Sequence, residues 1–76
     1  MSIARITEIS ATSTTGFEDA IKQGVSRASQ TLRNVRSAWV KEQQVRVDNG
    51  GIVEYQVNLM VTFVLEDDAK GDSKIA

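Results

Sequence analysis

The chain has 76 residues with no cysteine, histidine or proline, 41% hydrophobic residues, and 9 basic against 10 acidic side chains for a formal charge of −1. That length permits one domain, and the missing thiols and imidazoles exclude disulfides, a zinc clip and any Ser-His-Asp or Cys-His nucleophile, which leaves oligomerisation to stabilise so small a core. Near-neutral charge and the lack of a long apolar run or a glycine-rich phosphate loop argue against nucleic acid, membrane and nucleotide chemistry, and predict a cytoplasmic protein that is not an enzyme.

Residues 3 to 10 carry β-branched Ile3, Ile6 and Ile9 and predict a first strand. Ala11 to Gly16 are small and hydroxyl-rich, a loop composition. Thr15 followed three residues later by Glu18 has the spacing of a capping box and predicts a helix start. From there Phe17, Ala20, Ile21, Gly24, Val25, Ala28 and Leu32 recur with the i, i+3, i+4, i+7 spacing of one buried helical face. The small members Ala20, Gly24 and Ala28 allow close approach to whatever lies beneath, and a sheet is the candidate. Asn34, which tolerates the left-handed conformation, is the expected terminator.

Two strand-like runs follow, separated by Asp48-Asn49-Gly50-Gly51, in which Asn-Gly suits a tight hairpin turn. In the second run Val53, Tyr55, Val57, Leu59, Val61, Phe63 and Leu65 form an unbroken odd-numbered stripe, the period of a strand with one face on a core. Its even face mixes Ile52, Met60 and Val64 with Glu54, Gln56, Asn58 and Thr62, a mixture suited to an interface or a ligand-lined wall. The run before the turn is less regular. Strict alternation puts Ser37, Trp39, Lys41, Gln43, Val45 and Val47 on one side and Ala38, Val40, Glu42, Gln44 and Arg46 on the other, and its imperfection predicts a bulge. The acidic, aperiodic stretch 67–76 is expected to be a disordered tail following a domain over 1–66.

Several strings in this order resemble the dodecins, small flavin-binding proteins that assemble as hollow dodecamers. They are Arg5-Ile6-Thr7-Glu8-Ile9, Thr12-Ser13, Phe17-Glu18-Asp19-Ala20-Ile21, Arg27 to Asn34, Val40 with Glu42-Gln43, Tyr55-Gln56-Val57, Phe63 and Leu65-Glu66. The resemblance implies an α+β fold: a β-α-β-β subunit whose three-stranded antiparallel sheet wraps around one helix, with twelve copies forming a shell. It also implies a ligand, flavin in the form of riboflavin, FMN or FAD, stacked on a tryptophan early in the second strand and hydrogen-bonded by a glutamine in the third.

The glutamine is present as Gln56, whose amide offers both donors and an acceptor to a flavin edge. At the tryptophan's position stands Ser37, and the chain's one Trp is Trp39, two residues on. Residues two apart share a strand face about 6.5 to 7 Å apart, so Trp39 either takes over the stacking or fills a subunit interface. Arg46 is placed to meet a phosphate or a neighbour's carboxylate. Asp67, Asp68 and Asp72 offer oxygen ligands without an EF-hand's spacing, so no metal site is expected. Two readings stand: a non-catalytic flavin-binding shell, or a shell that has lost flavin and serves a structural role or binds another small ligand or a metal ion.

Overall fold

The computed structural model describes residues 3–65; the tail expected at 67–76 lies outside them. Four elements follow in the order β1 (Ala4–Ser13), α1 (Phe17–Thr31), β2 (Val35–Asp48) and β3 (Gly51–Val64). The strands form one antiparallel sheet in the order β1-β3-β2. β3 is therefore central, flanked on both sides, and this is why its alternation is the cleanest in the chain.

One face of the sheet receives the helix. Val57, Leu59 and Val61 of β3 are buried there against Ala20, Gly24 and Ala28 of α1, with Ile9, Ala11, Phe17, Ile21, Val25, Leu32, Val35 and Ala38 packed around them. The helix lies close because its central residue has no side chain: a Cβ added at Gly24 would stand 2.9 Å from Leu59 Cδ1 and 3.1 Å from the Ala11 Cβ. At one end of this layer the rings of Phe17 and Tyr55 meet edge to face, with centroids 5.1 Å apart.

The helix start differs from the capping-box expectation. β1 does not stop at Ser10 but pairs with β3 as far as Ser13, opposite Tyr55. Only Thr14, Thr15 and Gly16 remain for the reversal, and Ser13 organises it. Its hydroxyl accepts the backbone N–H groups of Thr15 at 2.9 Å and Gly16 at 3.4 Å, and donates to Asp19 Oδ2 at 2.7 Å. Gly16 occupies the N-cap position, and no side chain caps the first turn. Asn34 does adopt the left-handed conformation, φ 60, but the helix has already ended at Thr31. Asn34 instead forms the corner that launches β2: its carbonyl accepts from Val64 N at 3.0 Å and its Nδ2 donates to Val64 O at 3.4 Å. The hairpin turn has Asn49 at φ 53 and Gly50 at φ 79, the positive pair expected of Asn-Gly.

β2 and β3 run past the end of β1. Beyond Tyr55 the sheet has two strands, and the molecule's principal extents are 55 × 17 × 14 Å. The radius of gyration is 15.7 Å, where a compact chain of this length has about 11 Å. On this projecting hairpin Val45, Val47, Ile52 and Val53 are exposed, Val47 at 59% and Ile52 at 53%. A bare two-stranded hairpin is marginal in water, so the apolar tip is a surface that calls for a cover.

Candidate functional site

The helix-free face of the sheet gathers the residues singled out in the sequence, and β2's irregularities make this possible. The pairing with β3 steps over Arg36 and over Lys41, while near the turn it steps over Val53 on β3. At a bulge two residues oppose one, and the strand beyond it changes face. The bulge at Lys41 therefore corrects the strict alternation read from the sequence. Before it Ser37 and Trp39 pair with Thr62 and Met60; after it Glu42, Gln44 and Arg46 pair with Asn58, Gln56 and Glu54. All of these β3 partners alternate with the buried Val57, Leu59 and Val61, so they point away from the helix. Trp39, Ser37, Gln56 and Arg46 share one face.

Across the three strands the face is built of rows. Ser37, Thr62 and Ile6 form one, Trp39, Met60 and Glu8 the next, then Glu42, Asn58 and Ser10, then Gln44, Gln56 and Thr12, and finally Arg46 beside Glu54. The indole of Trp39 is half exposed, at 49%. Toward the hairpin a hydrogen-bonded chain takes over: Gln56 Nε2 donates to Ser10 Oγ at 3.1 Å and to Asn58 Oδ1 at 3.3 Å, and Asn58 Nδ2 donates to Glu42 Oε1 at 3.3 Å. Arg46 Nε lies 3.7 Å from Glu54 Oε1. Gln44, Val45, Arg46, Glu54 and Gln56 line a depression of about 200 Å³. Lys41 Nζ reaches across β3 to Glu8 Oε1 at 3.2 Å. The face thus grades from apolar and aromatic to polar along β3, which suits a flat ring with a hydrogen-bonding edge.

Ser10, Glu42 and Asn58 were not foreseen as site residues. Asn58 shares β3's even face with Gln56 and could have been read from period alone, but Glu42 joins the face only through the bulge, and Ser10 only through the β1–β3 register.

The chain matches the Dodecin family model over residues 3–66. It belongs to the dodecin family. A protein named dodecin from Thermus thermophilus is 42% identical over 60 residues, which are 79% of this chain and 87% of that protein. A calcium dodecin from Mycobacterium tuberculosis is 36% identical over 63 residues, 83% of this chain and 89% of that protein. Among solved structures, the dodecin from Streptomyces davaonensis superposes with a TM-score of 0.81 at 38% identity, covering 87% of this chain and 97% of the other. The dodecin β-α-β-β topology, with its antiparallel sheet and single helix, is the one described above. Among this dodecin's described residues no group of three or more carboxylates is placed to hold a metal ion, and no helix is long and apolar enough to cross a membrane. Asp67, Asp68 and Asp72 lie outside the described residues.

Proposed function

We propose that this dodecin is a non-catalytic binding protein that assembles as a homododecamer and holds a flavin, riboflavin, FMN or FAD, on the helix-free face of its sheet. Trp39 supplies the stacking surface in place of the aromatic absent at Ser37, Gln56 hydrogen-bonds the ring's polar edge, and Arg46 stands at the hairpin end, where a phosphate would extend. The observation that carries this reading is the shared face of Trp39 and Gln56. Met60, the partner of Trp39, is four β3 residues from Gln56, about 13 Å, whereas Thr62, the partner of Ser37, is six residues away, about 20 Å. Moving the indole from 37 to 39 brings it nearer the glutamine.

Self-association follows from the uncovered hairpin tip and the small core, and the dodecin shell is the assembly that family membership supports. Riboflavin fluorescence provides the test. Quenching that saturates at a simple ratio of flavin to chain, and is lost in Trp39→Ala, is the expected result; no quenching at tens of micromolar protein rejects flavin. A second reading, a shell without flavin, draws on Ser37 at the usual tryptophan position and on the calcium dodecin relative. Its distinguishing result is an intact dodecamer by native mass spectrometry that leaves riboflavin emission unchanged.

A further inference from the structure

One charged pair crosses the proposed ligand face between its aromatic and polar ends. Lys41 follows Trp39 by two residues on the same face, and its ammonium passes over β3 to meet Glu8 Oε1 at 3.2 Å. The two side chains are 50% and 42% exposed, and an ion pair so exposed contributes little to stability. An ammonium has three N–H donors; among the described residues Glu8 is the only partner of Lys41. Its two other donors have no partner among the described residues, and the ammonium stands beside the row of Trp39, Met60 and Glu8 and before the row of Asn58. A flat ring lying on Trp39 and reaching toward Gln56 passes directly over the ammonium.

Building on the reading that a planar ligand stacks on Trp39, we infer that Lys41 is the specificity-determining residue of the site. Its ammonium selects aromatic ligands whose edge carries carbonyl oxygens or negative charge and rejects cationic rings of the same size. Glu8 holds the ammonium over the face in the empty site and competes with the ligand for it.

Two fluorescent probes of similar breadth separate the possibilities: riboflavin, with a carbonyl-bearing edge, and proflavine, a three-ring cation without carbonyls. In titrations of the full chain, riboflavin binds more tightly than proflavine. Lys41→Met, which keeps the apolar stem, weakens riboflavin by about tenfold, the scale of one charge-assisted hydrogen bond, and leaves proflavine unchanged or tighter. Lys41→Arg restores most of the riboflavin affinity, and Glu8→Gln increases it. Circular dichroism of each variant checks the fold. Equal riboflavin affinity in wild type and Lys41→Met overturns the inference, as does a preference for proflavine. If riboflavin binds, is lost in Trp39→Ala and is unchanged in Lys41→Met, only the role of Lys41 fails; if wild type binds no riboflavin, the ligand reading fails with it.

Discussion

Trp39 and Gln56 project from the same face of the sheet, although strict alternation along β2 separates Trp39 from Gln44, the residue paired with Gln56. The bulge at Lys41 removes the conflict and brings Gln44 and Arg46 to the face that Trp39 and Gln56 share. Ser37 occupies that face one row farther from Gln56. Ser37→Trp therefore adds a second ring beside the first, and riboflavin affinity is expected to rise by about 2- to 13-fold, corresponding to about 0.5–1.5 kcal/mol for an aromatic contact. Quenching titrations measure the change; an affinity that stays constant or falls places the ligand elsewhere.

The core has one large side chain at its centre. Leu59, on the central strand and beneath Gly24 of the helix, is 1% exposed. Leu59→Ala should lower stability by about 2–5 kcal/mol, the transfer loss plus the cavity left behind. Urea unfolding at fixed chain concentration reads this, and a loss below about 1 kcal/mol would contradict the packing described.

Gly24 gives a prediction in which two effects oppose one another. Alanine favours the helix by about 1 kcal/mol over glycine, but its Cβ would press on Leu59 Cδ1 and the Ala11 Cβ, and overpacking costs about 1–3 kcal/mol. The two neighbours would stand 2.9 and 3.1 Å from that Cβ and Leu59 is only 1% exposed, so crowding is expected to win and Gly24→Ala to be destabilising. The double variant Gly24→Ala/Leu59→Ala should be more stable than the sum of the singles by about 1 kcal/mol, because the truncated leucine makes room for the methyl. Additive effects would show that the two sites do not touch.

Gly50 and Gly16 form a matched pair. An added Cβ meets nothing within 4 Å at either position, but Gly50 has φ +79 while Gly16 is extended. Gly50→Ala is expected to destabilise by about 1–2 kcal/mol through backbone strain alone, and Gly16→Ala to stay within about 0.5 kcal/mol of wild type. Thermal melts of the two variants, run side by side, test the turn geometry.

The hairpin tip predicts how assembly can be broken without unfolding the subunit. Val47 and Ile52 pair across the strands, so Val47→Glu with Ile52→Lys removes the apolar cover while placing opposite charges side by side, a favourable cross-strand pair. Native mass spectrometry should show the large assembly giving way to smaller species while circular dichroism keeps its strand and helix signature. A variant that remains fully assembled excludes the tip as an interface.

The order of elements, the helix face and the central strand were legible in the sequence because each rests on local periodicity. β3 has a neighbour on each edge and a helix on one face, so its odd residues could only be apolar. The site was less legible. Arg46 and Gln56 were readable as polar residues, but their sharing of a face with Trp39 depends on a bulge and a register, and both are set by pairing between strands. The helix start shows the same limit: Thr15 had the right spacing to Glu18, yet no side chain caps the first turn and Ser13 organises the reversal, because pairing with Tyr55 drew β1 three residues farther than its own composition indicated.

The projecting hairpin also ties the folding of one chain to the presence of others. Its apolar tip has no cover among the described residues, so in the proposed assembly part of the free energy that holds β2 and β3 in register comes from neighbours, and mass action governs it. Dilution would then act on the assembly as a denaturant: the midpoint of thermal unfolding is expected to rise with chain concentration, and any ligand held by the assembled form to raise it further.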